Sequence, residues 1–310
     1  MSEFRARVEQ LSSNYKKSLG NAYRFWSDKS SLIVTECGGR MFLEHQGHEI
    51  TWSNSDHFRN VRDILYKGRT GRENVSWDDV NRLGGGKIQI APQELYDGKV
   101  PFLQPHLGMY TSYLVNGVLY LTSPDCKESN LTIVEEIKMT GPSTFEIQSH
   151  LVNRSPSPTT AAPWLVFQLR EPAVVHLTRL TGAPETFINS VFEQNLPEDV
   201  LGSLSKTSFF LSLDQGDKMF KEGKMFKVGY NFSSRGTKAR QNITVYFPNE
   251  NTRLSFEAEN IKGKFPHGYR GETYGSPDYF EQEVLARNRY IRFGQISDIL
   301  KVTFSLASIN

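Results

Sequence analysis

Hydrophobic and polar residues alternate in short runs along most of this chain. The run Thr144-Phe145-Glu146-Ile147-Gln148-Ser149 changes character at every position, which is typical of a β-strand with one buried face. Turn-forming residues separate the runs. This pattern predicts strands over Ser31–Cys37, Arg40–His45, Glu49–Trp52, Gly117–Thr122, Leu131–Met139, Thr144–Asn153, Trp164–Leu169, Val174–Leu180, Ser208–Leu213, Lys224–Phe232, Asn242–Phe247, Arg253–Glu259, Tyr279–Ala286 and Ile299–Leu306.

Helical periodicity is scarce. Phe4, Val8, Leu11 and Tyr15 recur at helical spacing, so the pattern predicts a helix over residues 3–19. Many strands with few helices indicate antiparallel sheets packed face to face. We therefore expect an all-β fold, with a helical N-terminal extension over residues 1–24 and a single sandwich domain over residues 25–310. No linker and no internal repeat divides the chain.

Composition narrows the function classes. The chain has 36 Lys and Arg against 34 Asp and Glu, and this net charge of +2 gives no reason to expect binding to nucleic acid. No apolar stretch is long enough to span a bilayer, and the N-terminus lacks the pattern of a secretion signal, so a cytoplasmic protein is expected. His45, His48 and His57 have no clustered carboxylate beside them, so we expect neither a metal nor a cofactor. The oligomeric state stays open.

The glycine-rich stretch Leu83–Gln93 is the most distinctive local motif. Three glycines precede Lys87, Gln89 and Gln93, which share one face if the segment is extended. Lysine and glutamine side chains suit a neutral ligand that is rich in hydroxyl groups. An ordinary glycine hairpin explains the motif equally well. The stretch is not a nucleotide-binding P-loop, because Asn81 and Ile88 stand where that motif needs Gly and Ser or Thr.

Other candidates are spread along the chain. Gln168 and Arg170 share one strand face, and His106 follows the glycine motif on a predicted loop. Most aromatic residues must fill the core, but four of them are candidates for stacking on a sugar ring: Trp52, Trp77, Tyr110 and Trp164. A basic stretch over residues 59–72 either attracts an anionic sugar or is a solvated loop.

The order of these motifs resembles the galactose mutarotase-like superfamily of aldose 1-epimerases. Gly38-Gly39-Arg40 follows the first predicted strand, and the second leads to Trp52-Ser53-Asn54. Further along lie the glycine turn, then Val152-Asn153-Arg154-Ser155 before the strand around Trp164, and finally Tyr279–Leu285. The fragments Gly85-Gly86-Lys87 and Ala91-Pro92-Gln93 match an uncharacterised bacterial branch of the superfamily. The correspondence covers roughly residues 30–306.

The resemblance implies a large antiparallel supersandwich with a sugar cleft. It also implies an aldose 1-epimerase reaction, in which a glutamate takes the proton of the anomeric hydroxyl and a histidine protonates the ring oxygen. Glu283 is favoured as this base over Glu281, and two carboxylates on one strand face can raise each other's pKa. The residues implied for binding a small-molecule sugar are Arg40, Lys87, Gln89, Gln93, Trp164, Gln168 and Arg170.

The chain departs from this pattern at both histidines. Gly84 stands where characterised epimerases have a histidine in the glycine turn, and Ala162-Pro163-Trp164 contains no histidine before the middle strand. Either Lys87, His106 or Arg170 serves as the acid, or the chain does not catalyse the reaction. A carbohydrate-binding protein that keeps the cleft, and a structural or partner-binding sandwich, are the alternatives.

Overall fold

A computed structural model describes residues 6–11, 20–54, 57, 72, 75–76, 79–80, 82–170, 174–178, 185–186, 208–212, 226–231, 241–259, 261, 263–276 and 279–309. Within these residues the chain forms two antiparallel sheets. The short helix Leu103–Leu107 and the 3-10 helices Gln93–Tyr96 and Pro266–Gly268 lie in connections. No helix of this described part is long and apolar enough to cross a membrane.

The larger sheet has 12 strands in the described part of the chain. They are β1 (Arg7–Leu11), β2 (Ala22–Trp26), β3 (Ser30–Thr35), β4 (Met41–His45), β5 (His48–Glu49), β6 (Gly85–Ala91), β11 (Thr159–Leu169), β13 (Glu185–Thr186), β15 (Phe226–Tyr230), β18 (Gly271–Gly275), β19 (Phe280–Leu285) and β20 (Arg289–Ile291). Their order is β1-β2-β3-β4-β6-β11-β19-β18-β15-β13, with β5 paired to β4 and β20 paired to β11.

The second sheet has 9 strands among the described residues. They are β7 (Thr111–Val115), β8 (Val118–Thr122), β9 (Leu131–Gly141), β10 (Thr144–Asn153), β12 (Val174–Thr178), β14 (Ser208–Ser212), β16 (Gln241–Phe247), β17 (Thr252–Ala258) and β21 (Leu300–Ser308). Their order is β14-β12-β16-β17-β21-β10-β9-β8-β7.

Apolar side chains from both sheets fill the space between them. Phe167 of the larger sheet contacts Phe256 and Phe304 of the second sheet, with ring centroids 5.6 and 5.4 Å apart. The main buried cluster takes alternate residues from many of the strands, including Ile88 and Ile90 of β6. Because side chains alternate across a strand, the intervening residues of the larger sheet point away from the sandwich core. The expected all-β sandwich is confirmed.

The N-terminus differs from the sequence-based expectation. The described part of the expected helix over residues 3–19 is strand β1, which pairs antiparallel with β2. Val8 lies opposite Phe25, and Leu11 lies opposite Ala22. These two residues pack on different hydrophobic clusters, as the alternating faces of a strand require. Pairing with a neighbouring strand therefore overrides the helical spacing. The division into an extension and one domain at residue 24 stays a prediction.

Candidate functional site

Five adjacent strands of the larger sheet carry polar side chains on the face that points away from the second sheet. The register aligns one row across β6, β11, β19 and β18: Lys87, Val166, Glu283 and Glu272. The next row adds β15 and contains Gly85, Gln168, Glu281, Tyr274 and Lys227. On the other side of the first row lie Gln89, Trp164 and Leu285. We call these three rows the polar face.

The glycine turn before β6 orients one carboxylate of the polar face. Gly84 has φ +77°, and a Cβ on it would come within 2.2 Å of the Trp52 carbonyl oxygen. The backbone therefore approaches its own chain at residues 52–53 rather than a ligand. The Gly84 N–H donates to Gln168 Oε1 at 2.9 Å, and Gln168 Nε2 donates to Glu281 Oε1 at 2.8 Å. This chain of hydrogen bonds fixes the Glu281 side chain.

Glu283 is a buried carboxyl group in the middle of the polar face. Its Oε2 accepts hydrogen bonds from Trp164 Nε1 at 2.9 Å and from Lys227 Nζ at 3.2 Å. Burial raises the pKa of Glu283 well above its usual value, and the neighbouring Glu272 and Glu281 add to this effect although Lys227 opposes it. Its surroundings therefore favour the protonated form of Glu283.

The pKa of Glu272 is shifted in the opposite direction. Burial alone would raise its pKa, but Lys227 at 2.7 Å and a hydrogen bond from His267 hold the pKa at about 2. His267 Nε2 accepts the Gln93 backbone N–H at 3.1 Å, so the ring donates from Nδ1 to Glu272 at 3.1 Å. Glu272 and Glu283 thus form a coupled carboxyl pair whose pKa values are shifted in opposite directions.

A second, nitrogen-rich group lies at the other end of the first row. Lys87 Nζ and Arg40 NH2 approach His106 Nε2 to 3.5 and 3.3 Å. That nitrogen also lies 2.8 Å from the Val80 carbonyl, which only accepts, so Nε2 carries a proton. Burial and the charges of Lys87 and Arg40 hold the pKa of His106 well below its usual range, so the ring is neutral. Arg40 also donates to the Gly84 carbonyl at 2.6 Å.

The structure brings most, but not all, of the sequence-predicted site residues together. Eight of these residues lie on the polar face or contact its side chains: Arg40, Lys87, Gln89, His106, Trp164, Gln168, Glu281 and Glu283. Gln93 is exposed at the edge and reaches the site only through its backbone contact with His267. Arg170 does not join them, because it lies beyond the end of β11 with its side chain 52% exposed and paired with Glu49 at 3.4 Å.

The aromatic candidates also divide into residues on the polar face and residues elsewhere. Trp164 lies on the polar face, where Lys227 Nζ is 5.3 Å from its ring and the His267 ring is 5.2 Å away in an edge-on contact. Trp52 is partly buried and packs against Tyr279, with ring centroids 5.0 Å apart. Tyr110 belongs to the sandwich core and donates its hydroxyl to the Pro105 carbonyl. Trp77 and most of the basic stretch over residues 59–72 lie outside the described residues.

Sequence reasoning missed three residues of this site: Lys227, His267 and Glu272. His267 sits in a turn with φ 58° and ψ 0°, a left-handed conformation that is uncommon for a non-glycine residue and often marks a functional site. Glu272 lies on a strand that begins and ends with glycine and was not predicted. The alternation of Glu272 and Tyr274 just before the predicted strand Tyr279–Ala286 is the signal that could have revealed it.

Searches for related proteins find the fold but no close relative. No family model matches the chain, and no curated protein matches it. Among solved structures, a Klebsiella pneumoniae protein described as a "putative aldose 1-epimerase" has a TM-score of 0.62 at 9% identity, over 98% of this chain and 88% of that one.

Two galactose mutarotase-like proteins match this chain with similar TM-scores and identities. The protein from Lactobacillus casei has a TM-score of 0.57 at 12% identity, over 92% of this chain and 100% of that one. The protein from Clostridium acetobutylicum has a TM-score of 0.54 at 8% identity, over 98% of this chain and 99% of that one. Identities this low establish a shared fold rather than a shared activity. The chain therefore has a galactose mutarotase-like β-sandwich fold.

Proposed function

We propose that this chain is a carbohydrate-active protein that interconverts the anomers of an aldose at the polar face. The observation that carries the proposal is the arrangement of Glu281 and Glu283 on one strand face, beside the Gln168 amide and the Trp164 ring. Two carboxyl groups supply an acid and a base, the amide suits hydroxyl groups, and an indole suits the apolar face of a pyranose. The fold shared with galactose mutarotase-like proteins supports the proposal by analogy.

The two carboxyl groups divide the reaction between them. Glu283, whose pKa is raised, donates a proton to the ring oxygen, while Glu281 accepts the proton of the anomeric hydroxyl. The bond between C1 and the ring oxygen breaks and an open-chain aldehyde forms. Rotation about the C1–C2 bond and the reverse proton transfers close the ring with inverted configuration. This assignment exchanges the role that the family resemblance favours for Glu283, because a carboxyl group with a raised pKa suits a proton donor.

The proposal is tested by the rate of anomer interconversion. A freshly dissolved pure anomer is followed by NMR or polarimetry with neutral, phosphorylated and uronic sugars. Glu283→Gln and Glu281→Gln should each slow the catalysed rate by about 10²–10⁴-fold, which is the usual contribution of a general acid or base. Glu136→Gln, a partly buried strand glutamate of the second sheet, is the control and should keep the wild-type rate.

A carbohydrate-binding protein without catalysis is the second candidate function. The observation that favours it is that both ring nitrogens of His267, and Nε2 of His106, are hydrogen-bonded to protein groups. This candidate predicts that the wild-type protein binds sugar in calorimetry without accelerating interconversion. It also predicts that the double variant Glu281→Gln, Glu283→Gln still binds. Acceleration by the wild type, lost in the two single variants, decides for the enzyme.

A further inference from the structure

Two lysines occupy the polar face in contrasting surroundings. Lys227 Nζ lies 2.7 Å from Glu272 and 3.2 Å from Glu283. No carboxylate of the described residues lies within ion-pair distance of Lys87, whose Nζ has its contact with His106 Nε2 at 3.5 Å. Because Nε2 carries a proton, it offers no lone pair to an ammonium group. Lys227 is therefore held as a cation, whereas no described residue in contact with Lys87 would hold a positive charge.

Burial and the nearby charged groups together also disfavour the protonated form of Lys87. Burial and the neighbouring Arg40 guanidinium lower the pKa of Lys87 well below its usual value, and Glu281 and Glu283 offset this only in part. For Lys227, burial opposes protonation, but Glu283 and Glu272 overcome it and raise the pKa. A desolvated amine beside another cation is the environment that makes a lysine nucleophilic at neutral pH.

The position of Lys87 also suits a reaction with the proposed substrate. Lys87 and Glu283 lie in one row with only Val166 between them, so their Cα atoms are about 10 Å apart at the usual strand spacing. Both side chains are long enough to approach one small molecule over Val166. Lys87, Val166 and Glu283 are each 1% exposed, so this part of the polar face is shielded from bulk water.

We infer that Lys87 forms a Schiff base with the aldehyde carbon of an open-chain aldose bound at the polar face. The neutral amine adds to C1 and gives a carbinolamine. The Glu283 carboxyl donates a proton to the C1 hydroxyl, which leaves as water, and the nitrogen loses its remaining proton to the Glu283 carboxylate. One amine and one aldehyde thus give one imine and one water, with no oxidant or reductant. The inference rests on the proposed function for cyclic sugars, because ring opening supplies the aldehyde.

Reductive trapping tests the inference on the intact wild-type protein. The protein is incubated with sodium cyanoborohydride and either galactose or glyceraldehyde, a three-carbon aldose that cannot close a pyranose ring. Intact mass followed by peptide mapping should find one reduced sugar per chain, attached to Lys87. Lys87→Met and Lys87→Arg should lose the adduct, and Lys138→Arg, which changes a surface lysine paired with Glu146, should keep it.

The outcomes separate this inference from the proposed function. Labelling of Lys87 by glyceraldehyde without labelling by galactose supports the reactive lysine and counts against ring opening. Catalysed interconversion of anomers without labelling of Lys87 by either aldehyde overturns the Schiff base and leaves the proposed function standing. Adducts on Lys227, or adducts spread over exposed lysines, also overturn it. The mapping on the wild type decides the question even if a variant at Lys87 fails to fold.

Discussion

Glu135 is an acidic residue inside the sandwich core. It lies on β9 between Ile133 and Ile137, and its Cα is paired with that of Ser149 on β10. Both Glu135 carboxyl oxygens and the Ser149 hydroxyl lack a hydrogen-bond partner among the described residues. Burial raises the pKa of Glu135 to about 8. The side chain is therefore neutral in the folded protein at neutral pH, and ionising it costs stability.

This raised pKa predicts that the protein becomes less stable as the pH rises. Between the ordinary glutamate pKa of 4.5 and about 8, the folded state binds more protons than the unfolded state, so the free energy of unfolding falls with pH in this window. Glu135→Gln should raise it by about 2–4 kcal/mol near pH 9 and leave it nearly unchanged near pH 5. Urea denaturation at both pH values measures this, and equal effects at the two values would contradict it.

At the scale of single elements, alternation predicts a strand well where one of its faces meets the core. Thr144–Asn153 has the predicted bounds, and Leu131–Met139 ends two residues later than predicted, at Gly141. β18 lacks this signal because its five residues include two glycines. The turn residues of Glu257–Gly263 predict a hairpin, and this prediction is wrong. β17 pairs with β16 and β21, whereas the next described strand, β18, belongs to the other sheet. Which distant strands pair depends on the packing of the whole sandwich.

The same limit applies to the candidate site. Strand alternation alone predicts that Lys87 and Gln89 share a face, and that Glu281 and Glu283 do. It gives no register between β6, β11 and β19. Only the family resemblance therefore predicts that Lys87 and Glu283 belong to one site. The pairing of Glu272 with Lys227 depends on β15 and β18, and no motif in the sequence connects these strands.

The glycine turn before β6 offers a prediction at this scale. Gly84→Ala combines two costs, a side chain at φ +77° and a Cβ that would lie 2.2 Å from the Trp52 carbonyl oxygen. Gly117, at φ +75° with nothing within 4 Å of its added Cβ, is a matched control that isolates the first cost. We expect Gly117→Ala to lower the free energy of unfolding by about 1–2 kcal/mol and Gly84→Ala to lower it by roughly twice that or more.

Denaturant melts of the two variants measure this difference. Gly84→Ala should also slow anomer interconversion, because it displaces the N–H that orients Gln168 and through it Glu281. Equal destabilisation by the two substitutions would show that the close approach at Gly84 relaxes at no cost.

At the scale of the whole molecule, the two sheets are interleaved along the chain. β21, the last described strand, lies inside the second sheet between β17 and β10, and β19 lies inside the larger sheet between β11 and β18. Consecutive strands change sheet several times, so neither sheet can be completed from one continuous half of the chain. This topology predicts one cooperative folding unit that includes both sheets.

Phe304 packs between the two sheets, so a substitution at this residue tests their cooperativity. Its ring contacts Phe145 of its own sheet and Phe167 of the larger sheet, with centroids 5.4 Å apart in both cases. Phe304→Ala should lower the free energy of unfolding by about 3–5 kcal/mol, the usual cost of removing a buried phenylalanine. Phe293→Ala, at a residue that is 66% exposed, is the control and should change it by less than about 0.5 kcal/mol.

Calorimetry of the Phe304→Ala variant should still give one transition, with equal calorimetric and van't Hoff enthalpies, at a lower temperature. Two separated transitions would mean that the sheets unfold independently despite their interleaved strands. Phe304 contacts Phe167 on the core side of the larger sheet, whereas Gln168 and Glu281 lie on its polar face. At temperatures well below the new transition, anomer interconversion should therefore keep its wild-type rate. The substitution removes packing on the core side of the larger sheet and leaves the side chains of the polar face unchanged.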